Sequence, residues 1–106
     1  MIRILTSTSN KNIMSLQISG HSGSAERGKD LICAGVSSIS IGCLNALDIM
    51  ANDDCDLTLG ENLVKIEVKK INHDSQIILQ SVLIQLRTMQ EKYSNFITIE
   101  NMEVKT

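Results

Sequence analysis

Proline and tryptophan are absent from this chain of 106 residues, and its aromatic side chains are down to Tyr93 and Phe96. A core without aromatics must be built from Ile, Leu, Val and Met, and recognition of nucleic acid by base stacking lacks its platforms. A basic excess is missing too: the formal net charge is -2 and the pI about 5.6. Nucleic-acid-binding domains carry a basic patch or stripe. Here Arg27 with Lys29, and Lys69 with Lys70, make only short basic groups that read as solvated surface, so no direct nucleic-acid partner is expected. The opening run Met1 to Leu5 is not expected to be a secretory signal, and no segment is read as approaching the ~20 apolar residues of a membrane span. The expected location is the cytoplasm, with no membrane partner.

Cysteine is scarce as well. Cys33, Cys43 and Cys55 are odd in number and show no Cys-x-x-Cys spacing. A disulfide framework is not expected in a reducing compartment. The two histidines, His21 and His73, pair with no cysteine at zinc-finger spacing, so no metal site and no cofactor are expected. One cysteine is left as a candidate for reactivity.

What is present reads as one domain over 1–106, without repeats or linkers. Ile2 to Thr8 suits a strand, and Ser9 to Asn12 a turn. Met14, Leu16 and Ile18 alternate with Ser15, Gln17 and Ser19, predicting a second strand with those three apolar residues on one face. From Asp30 to about Ala51 the spacing turns helical, with Val36, Ile39, Cys43, Leu47 and Met50 on one face, Asp30 as N-cap, and Gly35 and Gly42 placed for close packing. A hairpin follows: a strand over Asp56 to Gly60, a turn at Gly60-Glu61-Asn62, and a strand with Val64, Ile66 and Val68 on its apolar face. A second helix, capped by Asp74 or Ser75 and reaching about Tyr93, buries Ile78, Val82, Leu86, Met89 and Tyr93; a last strand runs over Phe96 to Glu100. The order β-β-α-β-β-α-β predicts an α/β chain of the α+β two-layer sandwich type, a mixed sheet of about five strands with two helices on one face.

The chemistry concentrates between residues 20 and 38. His21 ends a strand, Cys33 stands twelve residues later in the first turn of a helix, and a glycine-rich loop lies between them. With Asp30 as N-cap, Cys33 is the third helical residue, where the unpaired N–H groups and the positive end of the helix dipole favour a thiolate. A nearby imidazolium would favour it further, giving a Cys–His pair able to attack a carbonyl. Asp30 works against that charge, so capping is its surer role, with orientation of His21 as the other. Ser37, four residues beyond Cys33, shares its helix face and could donate a hydrogen bond. The bland alternatives are a core cysteine and a surface or capping histidine. Cys43 falls on the buried stripe, Cys55 sits among Asp53, Asp54 and Asp56, His73 reads as structural, and Ser38 as helix surface. Gly23 to Lys29 also fits the first seven positions of a phosphate-binding loop, but Asp30 stands where Ser or Thr should hold magnesium, so nucleotide binding is set aside.

The stretch Gly20-His21, then Gly28-Lys29-Asp30-Leu31-Ile32-Cys33-Ala34-Gly35-Val36-Ser37, closely resembles the ribosomal-processing cysteine protease family, called Prp. The family pattern is Gly-His, a glycine-rich loop, then Gly-x-Asp-x-x-Cys-Ala-Ala-Val-Ser. The resemblance implies a cysteine endopeptidase without cofactor that removes the N-terminal extension of a large-subunit ribosomal protein, the one numbered twenty-seven. It implies His21 and Cys33 as the catalytic dyad, Asp30 and Ser37 as supporting positions, and Gly20, Ser22, Gly23 and Gly28 in a substrate loop that moves when peptide binds. It implies the ribosomal-protein precursor as substrate and a homodimer as the assembly. A non-catalytic ribosome-assembly binder is the alternative. Departures from the pattern are Ser22 for an alanine, Gly35 for the second alanine after the cysteine, and Ser24 where an aromatic is common.

Overall fold

A computed structural model describes residues 1–21, 23 and 30–104. The elements follow the predicted order: β1 (Ile2–Ser9), β2 (Asn12–Ser19), α1 (Leu31–Met50), β3 (Cys55–Gly60), β4 (Leu63–Val68), α2 (His73–Lys92) and β5 (Ile97–Glu103). They build one mixed sheet in the order β3-β4-β2-β1-β5. The pair β1–β5 is parallel, because the chain crosses over through α2; the other pairs are antiparallel.

The core is aliphatic, as the lack of aromatics requires. Ile4, Ile66, Leu79 and Leu86 are fully buried, with Leu16, Leu47 and Ile97 almost so. They join strand residues to one stripe of each helix. Where α1 and α2 cross, Gly35 leaves room for Met89: a β-carbon there would stand 2.9 Å from the Met89 Cε. Gly42 has open space instead, so its expected packing role does not hold.

Four other expectations are corrected. The register of β1 on β2 jumps from Ser7↔Ser15 to Thr8↔Ile13, which makes Met14 an inserted, bulged residue and turns Ile13 into the core in its place. Gln76 of α2 clips this bulge, accepting from the Ile13 N–H and donating to the Ile13 carbonyl, both at 2.8 Å. The cap of α2 is Asn72, not Asp74 or Ser75, its side chain accepting from the Asp74 N–H. Met50 is 65% exposed, since the buried face of α1 passes through Cys43, Leu44 and Leu47 and closes on the C-cap Ala51, which leaves Met50 on the outer side of the last turn. Finally, α1 is long and apolar enough, by length and composition alone, to cross a membrane. In this fold its apolar stripe is core, packed on α2 and the sheet.

Candidate active site

The candidate site lies at the end of the sheet where β1 begins and β2 ends, under the first turn of α1. Asp30 caps that helix as the sequence predicts: its backbone is extended (φ -84°, ψ 96°) and its carboxylate accepts from the Cys33 N–H at 3.0 Å. Its carbonyl accepts from the Ala34 N–H at 3.0 Å. The cap therefore holds Cys33 at the third helical position. It also occupies the backbone donor of Cys33, which leaves an oxyanion to be met by other groups.

Cys33 is half-buried and lines an open cleft of about 200 Å³. On the α1 side the cleft continues through Ser37, Ser40 and Ile41; Ile2 and Ile18 form its floor. The opposite side is the β3–β4 hairpin, with Leu59, Gly60 and Asn62. No charged side chain lines it among the described residues. Ser40 spends its hydroxyl on the Val36 carbonyl at 2.6 Å. Ser37 is exposed in the cleft, and no hydrogen bond of its hydroxyl is found among the described residues.

The strand exit that carries His21 is fixed by backbone. The Gly20 N–H donates to the Asn62 carbonyl at 3.1 Å, and the Met1 ammonium donates to the His21 carbonyl at 2.6 Å. Gly20 has φ +85°, and a β-carbon there would stand 2.5 Å from the Met1 carbonyl oxygen, so only glycine fits this corner. Gly20 lines the cleft. His21 is exposed and follows it directly, but does not itself line the cleft. Gly23 is exposed, with φ +70° and open space around it. Ser22 and Gly28, together with most of the phosphate-loop-like stretch, lie outside the described residues. The structure thus brings Gly20, Cys33 and Ser37 to one cleft and Asp30 to the Cys33 backbone.

The other thiols differ in kind. Cys43 is 2% exposed, and burial, helped by the nearby Cys55, pushes its pKa up to about 12. Cys55 is half-buried; burial raises its pKa, Asp54 and Asp56 add to the rise, and Lys69 opposes it. Both are poor nucleophiles at neutral pH. Among the described residues no group of three or more His, Cys, Asp or Glu side chains is gathered to hold a metal. Sequence reasoning missed the hairpin wall of the cleft. Alternation identifies Leu59 as apolar but does not tell a covered strand face from one left open beside a helix.

Comparison with known proteins bears on this arrangement. The family model for cysteine protease Prp matches residues 1–98. The ribosomal processing cysteine protease Prp of Staphylococcus aureus is 30% identical over 83 residues, covering 76% of this chain and 78% of that protein. The Bacillus subtilis protein of the same name is 27% identical over 103 residues, covering 91% and 88%. The crystal structure of the Staphylococcus aureus protease with a covalently linked product peptide superposes with a TM-score of 0.90 at 26% identity, covering 96% of this chain and 100% of that one.

Proposed function

From the premise that this chain is a cysteine protease belonging to the Prp family, we propose that it removes the N-terminal extension from the precursor of the large-subunit ribosomal protein numbered twenty-seven. The observation that carries the reading is the place of Cys33: a half-buried thiol at the third position of a capped helix, on the wall of an open cleft that no charged side chain lines among the described residues. The Staphylococcus aureus relative is a ribosomal processing protease, and its structures hold a product peptide in one case and a substrate peptide in another.

In the proposed mechanism Cys33 attacks the scissile carbonyl through Sγ, its proton passing to His21. His21 then protonates the leaving amine, and the acyl group stays on the sulfur as a thioester. With the imidazole neutral again, His21 takes a proton from water, which attacks the thioester and restores the thiol. The pairing is supported by the family pattern and by the backbone fixing of Gly20, which lines the cleft and directly precedes His21 in the chain. Asp30 positions Cys33 through its backbone. Ser37 shares the cleft wall and offers a hydroxyl. The enzyme works in the cytoplasm as a homodimer in this reading.

The test is incubation of the purified protein with the extended precursor and mass analysis of the products. A single cut that releases the N-terminal extension supports the proposal. Tight binding of the precursor without any cut would instead favour a ribosome-assembly binder.

A further inference from the structure

Resting on the reading of this cleft as the peptide site, we infer that the β3–β4 hairpin is its specificity wall: Asn62 holds the main chain of the substrate, and Leu59 with Ile41 encloses an apolar substrate side chain three or four residues from the scissile bond.

Three observations carry this. First, Leu59 and Ile41 are large apolar residues left 62% and 43% exposed, and both line the same cleft as Cys33. Leu59 pairs with Val64 and Leu57 with Ile66, so both leucines project on the helix side of the sheet. There Val64 and Ile66 are buried, whereas Leu59 is left exposed. Second, Cys33, Ser37 and Ile41 follow at four-residue steps along α1. Eight residues at ~1.5 Å each put Ile41 about 12 Å along the helix from Cys33. An extended peptide advances ~3.3 Å per residue, so its third or fourth residue from the sulfur arrives at the Ile41–Leu59 gap. With no charged side chain among the described lining residues, an acidic or basic side chain placed there would lose hydration without gaining a partner from them.

Third, Asn62 is suited to a donor role that the helix start leaves unfilled. Asp30 has taken the Cys33 N–H, and the Ser40 hydroxyl is spent on Val36. The backbone of Asn62 is committed through its carbonyl to Gly20, and its φ of +53° fixes the turn. Its side-chain amide makes no hydrogen bond among the described residues. It is the one amide side chain lining the cleft among those residues, and a peptide main chain presents the acceptor and donor such an amide matches.

The test uses the full chain. Wild type is first assayed for cleavage of a synthetic peptide spanning the extension junction of the ribosomal-protein precursor, which tests the proteolytic reading alone. Peptide Kd is then measured on the Cys33→Ala protein, so that the inference is read out from binding whether or not cleavage occurs. Asn62→Gly tolerates the positive φ and keeps the backbone bond to Gly20, so it deletes only the amide. It and Leu59→Ser should each weaken Kd about tenfold, roughly the effect of one lost hydrogen bond or apolar contact. Leu57→Ser, on the same strand face but outside the cleft, should leave Kd within twofold. In a peptide series with Leu or Asp at each of four positions on both sides of the junction, Asp at the third or fourth position on one side should weaken binding to wild-type walls and lose that effect in the Ile41→Gln, Leu59→Ser double variant. Unchanged Kd in Asn62→Gly and Leu59→Ser, or a flat peptide series, overturns the inference. So does an equal loss in Leu57→Ser, which would trace the effect to the fold.

Discussion

The carboxylate of Asp30 accepts the backbone N–H of Cys33 at 3.0 Å. One hydrogen bond thus joins the start of α1 to the position of the proposed nucleophile. It sets the helix phase that turns Cys33, Ser37 and Ile41 toward the cleft, and it takes that N–H out of the set of groups free to meet an oxyanion. Asp30 is a positioning residue in this account, acting on Cys33 through the backbone.

Asp30→Ala should therefore lose both a cap and an alignment. The expected stability loss is ~1 kcal/mol, seen as a lower urea midpoint. Asp30→Ser, which can still cap, should recover most of that stability and most of the kcat lost in Asp30→Ala. Normal kcat in Asp30→Ala despite the stability loss would show that the cap serves the fold alone.

At the corner where β2 ends, Gly20→Ala places a β-carbon 2.5 Å from the Met1 carbonyl oxygen at φ +85°. Strain of ~1–3 kcal/mol is expected, and the chain can relieve it only by moving the backbone that presents His21. Thermal unfolding and kcat/KM should fall together. A variant with unchanged melting temperature would contradict the crowding at this corner.

His21→Ala should lower kcat by a factor of ~10²–10⁴, the usual weight of a general acid–base group, with little change in melting temperature because the side chain is exposed. Comparing single-turnover rates of the two proteins at saturating precursor peptide checks this. A rate within a fewfold of wild type would remove His21 from the mechanism.

Burial holds the Cys43 thiol protonated up to about pH 12, whereas in the unfolded chain it ionises near the ordinary thiol value of 9.0. The folded state thus binds a proton that the unfolded state releases. This contribution is complete below pH 9.0 and is lost as the pH rises through about 12. Urea midpoints of wild type should fall between pH 9 and 11 more steeply than those of Cys43→Ala, in which that proton is absent. Parallel profiles would place the alkaline sensitivity in other groups. At pH 7.5 Cys43 should resist alkylation in the folded protein.

The order of elements and the cap of α1 were legible in the sequence because local signals carry them: strict alternation around Ile66, the apolar spacing of α1, a carboxylate placed three residues before Cys33. The bulge at Met14 was not. Alternation predicts Met14 inward, and only the pairing with β1 and the clip from Gln76, sixty-three residues away from Ile13, selects Ile13 instead. The cap of α2 failed for a nearer reason: Asn72, Asp74 and Ser75 are all competent caps, and local pattern does not rank them. At the site, Cys33, Asp30 and Gly20 were legible from their motif, while Asn62 and Leu59 belong to the cleft only because the sheet order sets their hairpin beside α1.

The central claim is that Cys33, and neither of the other two thiols, is the nucleophile. The most direct measurement is intact-mass and peptide-mapping mass spectrometry of the enzyme quenched in acid during turnover of the precursor peptide. The account predicts an acyl adduct of substrate mass on the peptide containing Cys33, absent in Cys33→Ala, which should also release no product. An adduct carried by Cys55, or product formed by Cys33→Ala at the wild-type rate, would contradict it.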